Sequence, residues 1–213
     1  MKEKKPNKKK EQSAQTKQKL YDSGQRLFAE KDFSTVSVEE ITRAAGVTKG
    51  TFYVHFESKD ALIASFISDY TAGLDLDYKA FLDSLPPDMP ASGMLLAMVE
   101  KIADVLTGTI GYEILRKIYQ MQLIKDVDME TVIGYNRKLY AIFSRLLESG
   151  LQRGEFKTDI PLEILSRHFV MAIRGLCYEW CIRYPEFDLK EEIVVHCKML
   201  LQGMRGKSFV TEN

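Results

Sequence analysis

The chain has 213 residues, 45% of them hydrophobic, and its 30 Lys and Arg offset its 30 Asp and Glu to a formal net charge of zero. That is enough apolar material for one or two compact domains, while no uninterrupted apolar run reaches the roughly 18–20 residues that a membrane span needs. The lysine-rich start lacks the apolar core of a secretory signal. Cys177, Cys181 and Cys197 are too few for a disulfide framework and lack the paired spacing of a zinc site. The expected compartment is therefore the cytoplasm, with no membrane partner. The neutral total conceals a division: residues 1–59 hold thirteen Lys and Arg against eight Asp and Glu, a net +5, which leaves −5 on residues 60–213. A basic N-terminal part attracts phosphate irrespective of sequence, and an acidic remainder is repelled by it.

Residues 1–19 contain eight lysines and two glutamates with almost nothing apolar. The expectation is a disordered basic tail over residues 1–15. Two readings of it stand: a solvated tail, or an arm that adds phosphate contacts or enters a minor groove. A first helix is predicted to begin near Thr16, with Leu20, Leu27 and Phe28 on one side and Phe33 following. Ser37 then stands at an N-cap position with Glu40 three residues on, the spacing of a capping box. Ile41, Ala44 and Ala45 give the second helix a narrow apolar face, Gly46 suits the positive φ of a tight C-terminus, Val47 plugs the turn, and Thr48 caps the next helix. That brief third helix buries Phe52 and Phe56, four residues apart, and turns Lys49, Gly50, Thr51, Tyr53 and His55 outward. Hydroxyls, a phenol, an imidazole and a lysine around a glycine suit a groove. A second helix offering such groups to base edges while the first crosses the backbone is helix-turn-helix docking on DNA. The candidate DNA contacts are Ser37, Thr48, Lys49, Gly50, Thr51, Tyr53, His55 and Lys59. Glu39 is left out, because stabilisation of the helix N-terminus explains it more cheaply than acceptance from a cytosine amino group.

The run Ala45-Gly46-Val47-Thr48-Lys49-Gly50-Thr51-Phe52-Tyr53-Val54-His55-Phe56-Glu57-Ser58-Lys59 resembles the signature of the TetR family of bacterial transcriptional regulators, in order and in spacing. The resemblance implies an all-α fold: a helix-turn-helix DNA-binding domain over residues 16–60, a helical effector-binding and dimerisation domain over 61–205, and a short tail over 206–213. It implies a homodimeric repressor that binds a palindromic operator in double-stranded DNA and is released by a small-molecule effector. An activator, or a regulator controlled by a protein partner, would use the same DNA module. Val38 and Glu39 depart from relatives that present a basic or hydroxyl side chain there. An enzyme is disfavoured: His55, His168 and His196 are scattered, and the chain has no Gly-rich phosphate loop, paired metal-ligand motif or nucleophile elbow. No catalytic residue, metal or cofactor is expected.

Ser58 caps a predicted fourth helix whose stripe is Ala61, Leu62, Phe66 and Tyr70. Lys59 lies in its first turn, where a cation opposes the helix dipole and a phosphate would relieve the conflict; in the family this position commonly contacts the DNA backbone. Leu85-Pro86-Pro87-Asp88-Met89-Pro90 breaks the periodicity. Helices are then predicted over 92–107, 111–125, 129–152, 161–183 and 188–204, with no strands. The Met and aromatic residues of the middle helices read first as ordinary core. The resemblance implies an effector site among them, with Met98, Tyr112, Tyr119, Tyr140 and His168 as candidate contacts. The last two helices carry more apolar surface than one subunit needs. Family members dimerise through a four-helix bundle built from these helices, so Phe169, Ala172, Ile173, Leu176, Trp180, Ile193, Cys197, Leu200 and Leu201 are the expected dimer interface.

Overall fold

The computed structural model describes residues 8–125 and 127–204, and among them the chain is helical throughout, as expected. In order these are α1 (Lys8–Glu30), α2 (Val38–Ala45), α3 (Lys49–His55), α4 (Lys59–Asp83), α5 (Ala91–Asp104), a π-helical turn (Val105–Ile110), α6 (Gly111–Ile124), α7 (Glu130–Ile133), α8 (Lys138–Gln152), α9 (Leu162–Arg183) and α10 (Leu189–Gly203). The chain divides into two compact units between Asp69 and Tyr70, inside α4, rather than near residue 60. Residues 1–7 of the basic tail and the 206–213 tail lie outside the described residues.

In the N-terminal unit α1 to α3 and the start of α4 close over Leu20, Val36, Ile41, Phe52, Phe56 and Leu62. Helix α1 begins at Lys8, well before Thr16, which corrects the expectation of disorder for residues 8–15. Lys, Gln, Glu and Ala are strong helix formers, and neither Gly nor Pro interrupts the run from Lys8 to Ser23. The absence of apolar residues there leaves the first turns exposed without unwinding them. At Gly24 a Cβ would lie 2.9 Å from Leu62 Cδ2 and 3.2 Å from Phe66 Cζ, so α1 and α4 approach more closely than a side chain at that position permits. On α2 the buried pair is Ile41 and Thr42; Ala45 is half-buried and Ala44 faces out.

In the C-terminal unit α5 packs on α8 and α10, while α9 packs on α8, α10 and α6. Met98, Phe143, Leu147, Phe156, Phe169, Trp180 and Leu189 lie in the shared core. Pro90 offers no side-chain cap to α5, and the Glu155 carboxylate accepts from the Ala91 and Ser92 N–H groups instead, at 2.9 and 3.1 Å. The helix expected over 129–152 is two helices, α7 and α8, parted at Gly134–Arg137. Gly134 takes an extended conformation where a side chain would collide with the Glu130 carbonyl. Arg137 enters α8 with its guanidinium on Asp75 of α4, Nε at 3.1 Å and Nη2 at 2.7 Å. Asp75 is only 3% exposed. The fork-shaped partner for a buried carboxylate thus stands at the end of a four-residue break in the helix.

Gly150 on α8 is roofed by the Phe156 ring, and a Cβ there would fall far inside van der Waals contact. Gly150→Ala should destabilise the protein by about 1–3 kcal/mol through overpacking, despite the better helix propensity of alanine; urea denaturation of the two proteins measures the difference.

Candidate nucleic-acid interface and internal cavity

Reciprocal caps build the two short helices. The Ser37 N–H donates to Glu40 Oε2 at 2.9 Å and the Glu40 N–H donates to Ser37 Oγ at 3.2 Å, closing the expected capping box. Gly46 ends α2 at φ +68°, and the Val47 N–H reaches the Thr42 carbonyl at 3.0 Å. The Thr51 N–H donates to Thr48 Oγ1 at 3.2 Å, and the two threonine hydroxyls pair at 2.9 Å. With Phe52 fully buried and Phe56 nearly so, the helical period turns the other face of α3 outward. Lys49 and Gly50 are exposed, Thr51 and His55 half-buried, Tyr53 50% exposed and Val54 78% exposed. Val54 was absent from the candidate list, yet its place was readable: two residues from each buried phenylalanine, it sits on the opposite side of the helix. A branched apolar side chain is of the type that packs against a thymine methyl.

Two of the expected contacts are already committed within the protein. Ser37 spends both its N–H and its hydroxyl on Glu40, so its visible role is the cap. Lys59 donates to the Phe33 carbonyl at 2.7 Å and the Val36 carbonyl at 2.9 Å. Two carbonyls of the α1–α2 loop thus receive the cation in the first turn of α4, which Ser58 caps by accepting from the Ala61 N–H. Lys49 forms an exposed ion pair with Glu39 across the turn. That hydrogen bond lowers the Glu39 carboxyl and raises the Lys49 ammonium from their ordinary values.

In the C-terminal unit a cavity of about 100 Å³ lies among α4, the π-helical turn, α6, α7, α8 and α9. Tyr119 and Tyr140 line it, as expected; Met98, Tyr112 and His168 do not. Met98 is sealed in the core. Tyr112 stacks on Tyr184 with centroids 4.0 Å apart and meets Trp180 edge-on, and His168 lines an open groove with Ile160, Ile164 and Met199. Most of the wall is apolar, including Leu74, Leu106, Ile110, Leu115 and Ile173, but it also holds Tyr78, Gln122, Arg137 and Arg174, none anticipated from sequence. Tyr119 donates its hydroxyl to the Arg174 carbonyl at 2.7 Å. The Tyr140 hydroxyl is buried with no hydrogen-bond partner, an arrangement that costs about 1–3 kcal/mol. Burial pushes the Tyr78 and Tyr119 phenols up and the Cys177 thiol to about 12, so all three are neutral at pH 7. Asp75 cancels the charge of Arg137. Arg174 makes only long contacts, 3.4 Å each, to the Ile133 carbonyl and Gln122 Oε1, and among the described residues no carboxylate pairs with it.

The expected dimer residues divide. Phe169, Ile173, Trp180, Ile193, Cys197 and Leu201 are buried in the subunit's own core, which corrects their assignment to a partner-facing surface. Ala172, Leu176 and Leu200 are half-buried at its margin. Both helices are apolar on two sides, and the bulkier side fills the core. The side left outside carries Met171, Ile182, Val195 and Met199, all large and exposed. Among the described residues no helix is long and apolar enough to cross a membrane, and no group of His, Cys, Asp and Glu could hold a metal ion.

A capped helix-turn-helix followed by a helical unit with a cavity is the architecture of a DNA-binding transcriptional regulator. Residues 20–66 match the family model for bacterial regulatory proteins, tetR family. The chain is 28% identical over 203 residues to the HTH-type transcriptional regulator AcrR of Shigella flexneri, covering 91% of both chains. It is 24% identical over 196 residues to the HTH-type transcriptional repressor DhaR of Mycobacterium sp. (strain GP1), covering 90% of this chain and 96% of the relative. Its fold matches that of Thermus thermophilus FadR, a TetR-family repressor solved with lauroyl-CoA, at a TM-score of 0.69 and 20% identity over 92% of this chain and 99% of that one. Residues 20–66 thus carry the DNA-binding domain of the tetR family of bacterial regulatory proteins, and the chain is similar along most of its length to helix-turn-helix transcriptional regulators.

The Ser37 N–H, the Lys31 ammonium and the Ser37 hydroxyl together hold the Glu40 carboxyl down at about 2, against an ordinary 4.5. A depressed folded-state value means that this stabilisation is complete above about pH 4.5 and is lost as pH falls through about 2. Glu40→Gln should therefore lower the melting temperature at pH 7, and the deficit should shrink between pH 4.5 and 2; melting curves recorded across that range measure it.

Proposed function

We propose that this chain is a homodimeric transcriptional repressor that reads a palindromic operator and is released from it by a small molecule. The observation that carries the reading is α3: a seven-residue helix capped at Thr48 and anchored through Phe52, whose remaining face offers Lys49, Gly50, Thr51, Tyr53, Val54 and His55 to the outside. The exposed lysines of α1 add positive charge beside it. Dimerisation has support in the large apolar side chains left open on α9 and α10, whose burial would close a four-helix bundle and supply two reading heads. Repression has support in the names of DhaR and FadR. Release has support in the internal cavity and in the lauroyl-CoA bound to FadR.

The mechanism is a population shift. A ligand that favours the conformation in which the two α3 helices are wrongly spaced weakens operator binding by the ratio of its affinities for the two states. Helix α4 suits the transmission, because Leu62 and Phe66 belong to the core of the DNA-binding unit while Thr71, Leu74 and Tyr78 of the same unbroken helix line the cavity.

Selection from random duplex DNA should enrich a two-fold symmetric site, and Thr51→Val or Tyr53→Phe should change the preferred bases within each half-site. Recovery of no symmetric sequence would sink the proposal. Glu39→Gln frees Lys49 and removes a negative charge from the DNA-facing surface. It should tighten operator binding and steepen its salt dependence by about one phosphate contact per subunit; fluorescence anisotropy at several salt concentrations reads both.

A further inference from the structure

We infer that the cavity takes a compact organic acid, of the size of a single-ring aromatic carboxylate, with its carboxylate on Arg174 and Tyr140. The inference rests on the ligand-responsive reading above and names the chemical class that the site selects. Three observations carry it. The first is charge: Asp75 cancels Arg137, the wall phenols Tyr78 and Tyr119 are neutral, and Arg174 keeps its guanidinium on two long contacts with no carboxylate partner among the described residues. A guanidinium held so loosely in an apolar wall favours an anion over a neutral or cationic guest, and its planar fork suits a carboxylate.

The second observation is the Tyr140 hydroxyl, on a residue only 7% exposed, with no hydrogen-bond partner. Tyr140 and Arg174 line the same cavity, and a guest that accepts from the hydroxyl as well as from the guanidinium relieves an unsatisfied group. The third is size. A space of about 100 Å³ approaches the scale at which an apolar cavity of roughly 150 Å³ admits benzene, and it is far below what a twelve-carbon acyl chain fills. Leu106 and Ile110, on the apolar side, belong to the π-helical turn, an irregular element common at functional sites.

Isothermal titration of the full-length protein with benzoate, benzamide, benzylamine and laurate tests the inference. Benzoate should bind with a Kd on the order of 10 µM to 1 mM, as expected for a ligand of its size. Benzamide should bind about tenfold more weakly and benzylamine not measurably, since a hydrogen bond to a charged group contributes at least that factor. Arg174→Gln should abolish the preference for benzoate over benzamide, whereas Arg174→Lys should keep the preference at lower affinity. Tyr140→Phe should weaken benzoate binding about three- to tenfold without lowering the melting temperature of the free protein, because it deletes a hydroxyl that has no partner. Equal or tighter binding of benzylamine or laurate, an unchanged preference in Arg174→Gln, lost preference in Arg174→Lys, or no benzoate binding at 10 mM would each overturn the inference. Anisotropy on the selected operator separates it from the reading on which it rests. Benzoate that binds without releasing DNA leaves the ligand class standing and removes the control mechanism, while release by laurate or benzylamine alone does the reverse.

Discussion

A seven-residue helix cannot hold its own shape in water, because nucleation costs more than so few hydrogen bonds return. The DNA-reading surface of this protein therefore depends on the seating of Phe52. Its ring is fully buried among Leu20, Ile41, Phe56 and Leu62, and Thr48 satisfies the first free N–H group of α3. Together they specify the axis and the rotation of the helix, so that the side chains a groove would meet are those left over once the phenylalanines are placed. The same demand explains the care spent on the turn, where Gly46 supplies a positive φ and Lys59 ties down the preceding loop through two carbonyls. Ser37 and Lys59, which resemble DNA contacts by type, thus also brace the fold.

The helical unit shows the opposite economy. Its core is closed by apolar packing, but around the cavity the packing is interrupted by the Asp75–Arg137 pair, the break between α7 and α8, and a hydroxyl with no partner. A buried ion pair is rarely the cheapest way to stabilise a bundle, and apolar residues of similar volume often do better. Features that cost stability and gather around one space are the usual trace of a site shaped for a ligand rather than for folding.

The helix-turn-helix was legible because local rules write it. Ser37 with Glu40, then Gly46, Thr48, Phe52 and Phe56, each declare themselves through spacing alone, and the structure places every one in its expected local role. The cavity was only partly legible. Tyr119 and Tyr140 lay on recognisable helical stripes, but nothing local marks Arg137 and Arg174 as cavity residues, and only the fold brings Asp75, some sixty residues earlier than Arg137, beside one of them. Nothing in the neighbourhood of position 137 announces that partner. The start of α1 misled for a different reason: a lysine-rich run lacks a buried face, yet lysine and glutamine are good helix formers, so charge and missing hydrophobicity do not by themselves unwind a helix that continues into a packed one.

The largest misreading, the outer face of α9 and α10, shows what periodicity leaves undetermined. An amphipathic helix with one apolar stripe states its orientation, but α9 carries Phe169, Ile173 and Trp180 on one side and Met171 and Ile182 on another. Both sides satisfy the helical period. The choice between them follows from volume: a bundle interior is filled first by the large rigid side chains that pack at high density, and unbranched methionine is tolerated at surfaces that must adapt to another surface. Met171 and Met199 stay outside while Phe169 and Trp180 go in. Exposed large apolar residues at helical spacing on adjacent helices form a patch of the kind that marks an interaction site on a soluble protein. The apolar patch on α9 and α10 is therefore read from what the core leaves behind.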